Sequence, residues 1–287
     1  MLTPSARATV RDGAGGAVAA LAAAVHERLA GAPLLVLLDV DGTLAPIVPR
    51  PDQAVVPAAT RRVVAALVRR PRTHVAVVSG RGAADAARVV GVSGVWVIGN
   101  HGAERVSPDG HATVDPLVAP FADAVAAAAR ELRPVVARAS GAELEDKRWT
   151  LTVHYRRVAD AAVVAALRES AAAAARAHGL AFREGKKVLE LRPPVRVDKG
   201  VASLRLAADL GALVPGSSLF YAGDDTTDED AFRALRDAAP RAVTVRVAAD
   251  TDRDPDASDA PAPTAAEFTL RDTDALRAAL EQLAGMR

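Results

Sequence analysis

Residues 34–44, Leu-Leu-Val-Leu-Leu-Asp-Val-Asp-Gly-Thr-Leu, constrain the fold more than any other stretch of the chain. The apolar run from Leu34 to Leu38 is too short to span a membrane. It reads as a strand buried on both faces, the kind that builds parallel sheets. Two carboxylates, Asp39 and Asp41, stand where that strand leaves the sheet. Open α/β sheets bind ligands at this carboxyl end. Acids so close repel each other unless a cation lies between them. The segment therefore points to a metal-assisted site.

The pattern recurs. A helix is expected over 17–30, after a frayed 1–16, and another over 60–70 between Pro57 and Pro71. Residues 74–78 form a second apolar run ending in Ser79-Gly80-Arg81, and a helix follows over 83–90. A third run, 95–98, ends in Gly99-Asn100-His101-Gly102. This β-α-β-α-β alternation predicts a doubly wound parallel sheet of Rossmann-like type. The pattern changes at the turn Ser107-Pro108-Asp109-Gly110. A helix over 117–139 precedes a half-buried strand over 148–156, with Trp149, Leu151, Val153 and Tyr155 on one face. A helix over 161–178 and short strands over 181–183 and 187–191, turning at Gly185, complete a second, smaller α/β module. The first pattern resumes at Asp198 with a helix to about 211, strands over 218–223 and 244–247, an exposed Asp/Pro-rich loop over 249–264 and a helix over 276–283. The expected division is an extension with the first helix (1–30), a core (31–106 and 195–287) and an inserted domain (107–194).

Composition narrows the chemistry. With 36 Lys+Arg against 35 Asp+Glu, scattered along the chain, there is no basic field for nucleic acid. Cysteine is absent, which excludes disulfides, zinc-thiolate sites and thiol nucleophiles. A metal must then be held by oxygen or imidazole, and acids of this kind suggest Mg²⁺. The Ala-rich run 17–25 reads as an amphipathic helix rather than a signal-peptide core, and no run is long enough to cross a membrane. A cytoplasmic monomer acting on a small molecule is expected.

Asp39 can attack a phosphoryl group as a nucleophile, although an Asp after a strand is equally a turn residue. Asp41, two residues on, can serve as general acid and base. Gly42 permits a tight turn, and the hydroxyls of Thr43 and Ser79 can donate to phosphate. Lys199 at a helix start opposes the helix dipole, so a site that needs a cation explains it better than a solvated surface. Asp224, Asp225 and Asp228 crowd one turn, where metal ligation outweighs an acidic loop.

In conjunction, Asp-x-Asp-Gly-Thr, a strand-end Ser, the Lys and Gly-Asp-Asp-x-x-Asp resemble the haloacid-dehalogenase superfamily of phosphatases. The resemblance implies Asp39 as nucleophile, Asp41 as acid/base, and Thr43, Ser79, Gly80, Arg81 and Lys199 around the phosphate. It also implies Mg²⁺ on Asp39, Asp224 and the Asp41 carbonyl, with Asp225 or Asp228 in support. Residues 98–104, 144–147, 153–156, 185–193 and 221–232 are similar to the trehalose-6-phosphate phosphatase family, over roughly 31–247. That family has a core with an inserted cap that closes over the sugar. Its sugar contacts map onto Glu145, Lys147, Arg156 and Glu190, with Asn100 and His101 facing the substrate. Strict strand alternation sets Glu145 and Lys147 on the face opposite Arg156, unless a turn intervenes. The implied activity is Mg²⁺-dependent hydrolysis of trehalose 6-phosphate. A phosphatase for sucrose phosphate or glucosylglycerol phosphate, and a non-catalytic sugar-phosphate sensor, are the competing readings.

Overall fold

A computed structural model describes residues 14–48, 50–185, 187–248 and 263–285. The chain divides into two compact units, residues 1–112 with 198–287, and residues 113–197. The sequence reading set the boundaries at 106/107 and 194/195. The turn at Ser107–Gly110 does not open the insertion. It lies between two short strands of the first unit's own sheet.

In chain order the first unit holds α1 (Ala14–Arg28), β1 (Leu34–Leu38), α2 (Ala58–Arg69), β2 (Thr73–Val78), α3 (Ala83–Val90), β3 (Trp96–Gly99), β4 (Glu104–Val106) and the first residue of β5 (Ala112–Val114), whose other two residues fall past the unit boundary. The second holds α4 (Ala122–Arg138), β6 (Glu143–Asp146), β7 (Leu151–His154), α5 (Ala161–Ala177), β8 (Ala181–Gly185) and β9 (Val188–Arg192). The first then resumes with α6 (Lys199–Asp209), β10 (Ser218–Gly223), α7 (Thr226–Ala238), β11 (Val243–Val247), β12 (Phe268–Leu270) and α8 (Thr273–Leu283).

Among the described residues the first unit forms an eight-stranded sheet in the order β12-β11-β10-β1-β2-β3-β4-β5. It is parallel from β12 through β3, and β4 runs antiparallel to β3. β1 sits in the middle and is wholly buried. Its alternate residues feed two cores. Leu34, Val36 and Leu38 pack with α1, α2, α3 and α8; Leu35 and Leu37 pack with α6 and α7. Helices therefore cover both faces, the doubly wound arrangement that a continuous apolar strand demands. The order reverses around β1: β2 follows on one side and β10 on the other. That is the switch point where such sheets bind ligands.

The second unit is a four-stranded antiparallel sheet, β6-β7-β9-β8. Leu151, Val153, Leu189 and Leu191 pack against α4 and α5. Thr152 is paired with both Glu145 and Glu190, so those three residues share the other face. The strand expected over 148–156 is shorter, because Arg148 takes a left-handed turn (φ 70°). The turn into β9 falls after Gly185, which ends β8. α7 and strands β4, β5, β6 and β12 are elements that the residue pattern does not predict. Of the frayed start and the Asp/Pro loop, residues 1–13 and 249–262 lie outside the described residues.

α6 and α7 pack closely at Gly200, where a Cβ would come 2.6 Å from the Asp230 carbonyl oxygen and 3.2 Å from the Ala234 Cβ. Helix propensity alone favours Gly→Ala by about 1 kcal/mol. Here the obstacle is backbone, so α6 must move. Gly200→Ala is expected to lower stability by about 1–3 kcal/mol, seen as a lower urea midpoint. A raised midpoint would show that the helices can yield.

Candidate active site

The β1–β10 register pairs Leu38 with Ala222, and the Asp39 amide donates to the Ala222 carbonyl at 2.9 Å. Asp39 and Asp224 therefore leave neighbouring parallel strands at the same end. Gly42 follows with φ 80°, turning the chain back so that Leu44 and Ala45 donate to the Val40 carbonyl. A Cβ at Gly42 would strike the Asp224 carboxylate, and one at Gly223 would strike Asp228. Both glycines keep the carboxylates close.

Lys199 enters at the start of α6, whose N-cap Asp198 accepts from the Val201 amide (2.8 Å). Its Nζ donates to Asp39 Oδ1 (2.7 Å) and Asp228 Oδ1 (2.8 Å), and all three side chains are buried. Tyr221, fully buried on β10, donates its hydroxyl to the same Asp228 oxygen at 2.6 Å. Asp228 Oδ2 accepts the Asp225 amide at 3.1 Å. Asp228 thus orients the lysine from beneath. Asp225 is exposed and caps α7, accepting from the Thr226 amide at 2.6 Å.

Each of Asp39, Asp224 and Asp228 offers an oxygen within 4.8 Å of the others. This all-oxygen group fits a hard divalent cation such as Mg²⁺. The electrostatics fit as well. Burial, with Asp228 and Asp41 adding to it against Lys199, pushes the Asp39 carboxyl up to about 7. Burial, then Asp39 and Asp228, pushes Asp224 up to about 9. Lys199 is raised despite burial by Asp228 and Asp39, so it stays charged. One lysine does not balance the carboxylates around it. Asp39 and Asp224 therefore hold their protons more tightly than ordinary carboxyls.

The Asp41 side chain is not in this group; both its oxygens accept from Arg81, at 2.6 and 2.7 Å. Arg81, expected beside the phosphate, is engaged by Asp41 and Asp85. Thr43 Oγ1 faces Asp224 Oδ1 at 3.4 Å. Ser79 Oγ accepts the Arg81 amide at 3.1 Å, which leaves its own hydrogen to donate. Asn100 and His101 both take left-handed conformations (φ 51° and 55°). The Asn100 side-chain amide donates to Glu104 Oε1 (2.7 Å), which also accepts the Ala83 amide at the start of α3 (2.8 Å). Asn100 therefore braces the turn. His101 lies against Gly80, where a Cβ would come 2.5 Å from its ring.

In the second unit, Glu145 accepts from His154 Nε2 at 2.9 Å, and Lys147 Nζ lies 3.5 Å away. Burial would raise the Glu145 carboxyl, but His154 and Lys147 outweigh it and hold it below the ordinary range. Glu190 joins this face through Thr152. The β6–β7 hairpin resolves the parity conflict, since Glu145 and Arg156 belong to separate segments on either side of the turn. Arg156 is exposed just past β7. Sequence reasoning missed Tyr221, His154, Asp85 and Glu104. A tyrosine hydroxyl inside an apolar strand, three residues before an acid, was a readable signal for Tyr221.

The raised carboxyls make stability depend on pH. Unfolded, Asp39 and Asp224 titrate near 3.8; folded, near 7 and 9. Between these limits the folded state binds more protons, so their contribution is complete at acid pH and lost as pH rises through 7 to 9. A divalent cation bound by these carboxylates would displace those protons. The effect of Mg²⁺ on the melting temperature, read with EDTA as reference, should be larger near pH ~9 than near pH ~6, by roughly 2–4 °C for each kcal/mol gained. An equal increment at both would separate the cation from these carboxylates.

The family model described as trehalose-phosphatase matches residues 37–267. The chain is 41% identical over 266 residues to a trehalose-phosphate phosphatase of Mycolicibacterium paratuberculosis, covering 87% of this chain and 64% of that protein. It is also 41% identical over 214 residues to an uncharacterized glycosyl hydrolase of Mycobacterium tuberculosis, covering 72% of this chain and 16% of that protein. The chain thus spans less than two thirds of either relative. A crystal structure of a trehalose-6-phosphate phosphatase related protein superposes with a TM-score of 0.72 at 25% identity, covering 88% of this chain and 97% of that one. The match extends from Leu37 in β1 to Glu267, just ahead of β12, and the chain belongs to the trehalose-phosphatase family.

Proposed function

We propose that the chain is a Mg²⁺-dependent phosphomonoesterase that converts trehalose 6-phosphate into trehalose and phosphate. The observation that carries the reaction type is the buried Lys199 bridging Asp39 and Asp228 beside Asp224. The substrate is carried by family membership and by the relative named for that activity.

Asp39 is the nucleophile. Its Oδ attacks phosphorus, the bond to the sugar oxygen breaks, and an aspartyl-phosphate forms. Lys199 holds the attacking carboxylate and presents its charge to the phosphoryl oxygens. Asp41 gives a proton to the departing sugar oxygen, then takes one from the water that cleaves the acyl phosphate. Thr43 and Ser79 donate hydroxyl hydrogens to phosphate. Mg²⁺ on Asp39, Asp224 and Asp228 would neutralise the carboxylates and the phosphate charge. Tyr221 and Asp228 keep Lys199 in place. Glu145, Lys147, Arg156 and Glu190 recognise the sugar, the carboxylates accepting from its hydroxyls and the cations donating to them.

Phosphate release should be measured for trehalose 6-phosphate, sucrose 6-phosphate and glucose 6-phosphate, with and without Mg²⁺. The disaccharide ester is expected to lead in kcat/KM by about 10²-fold or more. Equal or faster turnover of another ester would overturn the substrate. Asp39→Asn should lose more than about 10³-fold in kcat while still binding the ester. Parental turnover by that variant would remove Asp39 from the chemistry.

A further inference from the structure

Arg81 is placed to control Asp41. Its Nε donates to Asp41 Oδ2 at 2.6 Å and its Nη2 to Asp41 Oδ1 at 2.7 Å. Its remaining arm, Nη1, donates to Asp85 Oδ2 at 2.6 Å. Asp85 stands in the first turn of α3 and also accepts from Arg88 (2.6 Å). The Arg81 backbone is fixed too. Its amide donates to Ser79 Oγ (3.1 Å), and its carbonyl accepts the Asn100 amide (2.7 Å). The Asp41 side chain is 41% exposed and that of Arg81 10%, so the arginine is the fixed partner. A guanidinium fork sets both the position and the plane of the carboxylate it grips.

We propose that Arg81 is a positioning residue that acts on the reaction through Asp41, not a phosphate ligand. This rests on the reading of Asp41 as the proton donor to the leaving oxygen. The three donors facing carboxylates lie on both edges of the guanidinium and turn it toward Asp41 and Asp85. Three of its five N–H groups are thereby committed to carboxylates. Acting through Asp41, Arg81 matters only where a proton must be delivered. A sugar oxygen leaves poorly as an alkoxide and needs that proton. A p-nitrophenolate leaves without it. The quantity to compare is kcat/KM, which reports the steps through departure of the leaving group and excludes hydrolysis of the acyl phosphate.

The test compares Arg81→Ala and Arg81→Lys with the parent on trehalose 6-phosphate, glucose 6-phosphate and p-nitrophenyl phosphate, alongside inhibition by orthovanadate. For both variants kcat/KM on the sugar esters should fall about 10²-fold, because lysine keeps the charge but loses the fork. On the aryl ester, and in the vanadate inhibition constant, the change should stay within about threefold. In an Asp41→Asn background, Arg81→Ala should add less than about threefold. Equal losses on both ester types, weakened vanadate in a variant with a parental circular-dichroism melt, or multiplying losses in the double variant would each overturn the proposal and make Arg81 a phosphate ligand. If Arg81→Ala fails to fold, Asp85→Asn carries the comparison. It loosens the guanidinium from its far side and should give the same ester asymmetry in smaller measure; no asymmetry there counts against the proposal. A parent that hydrolyses glucose 6-phosphate but not trehalose 6-phosphate would overturn the substrate reading, and the ester comparison would still decide the role of Arg81.

Discussion

One buried lysine faces the carboxylates gathered at the ends of β1 and β10, and the rest of the molecule is arranged around that contact. Burying an ion costs several kcal/mol unless partners surround it. Lys199 meets that cost with Asp39 at 2.7 Å and Asp228 at 2.8 Å, and Asp228 is held in turn by Tyr221 and the Asp225 amide. The geometry then dictates nearby sequence. Gly42 and Gly223 must lack side chains so that Asp224 and Asp228 can approach. Gly200 lets α6 lie against α7, which brings the lysine to depth. Burial first, and then the neighbouring carboxylates, raise Asp39 and Asp224, and a divalent cation bound there would offset both effects.

Asp39 and Asp41 are two residues apart, yet the fold gives each its own cation. Asp39 lies buried against the flexible, compact ammonium of Lys199. Asp41 lies at the rim against the planar fork of Arg81. Cations of different shape at different depth keep chemically identical side chains from sharing one role. Under the roles proposed above, a point charge suits a group that must present one oxygen to phosphorus. A fork suits a group whose plane must stay fixed while protons come and go.

Legibility in the sequence followed burial. β1, β2 and β3 were readable because strands covered on both faces become apolar runs. Asp39, Asp224 and Asp228 were readable as a cluster because carboxylates so dense repel one another without a cation. β4 and β5 are three residues long and half-exposed, so nothing in their composition marks them. α7 was hidden by its own start. Asp225 and Asp228 form a capping box, and acids that cap a helix look the same in sequence as acids that bind a metal. Only depth separates them: Asp225 is exposed and Asp228 fully buried. The partner of Arg81 was beyond reach for another reason. Asp85 is four residues away in the first turn of α3, but Asp41 follows another strand, and no local spacing reveals that Arg81 will grip it.

The two units use different consequences of strand geometry. In the first, function sits at strand ends, because both sheet faces are covered by helices and only the edge of the layer is open to a ligand. In the second, helices cover one face alone, and period-2 alternation leaves the other to polar side chains. Glu145, Thr152 and Glu190 share that face by register, and His154 and Lys147 fix the first of them. An end of a parallel sheet concentrates charge on a single point, which suits bond making and breaking. An antiparallel face of polar side chains spreads hydrogen-bonding groups over several strands at a spacing of about 5 Å, the scale of a sugar ring. Under the proposed function, substitutions on such a face change what is recognised without disturbing the apolar side beneath. A change at the strand ends, where each carboxylate leans on the next, disturbs every partner at once.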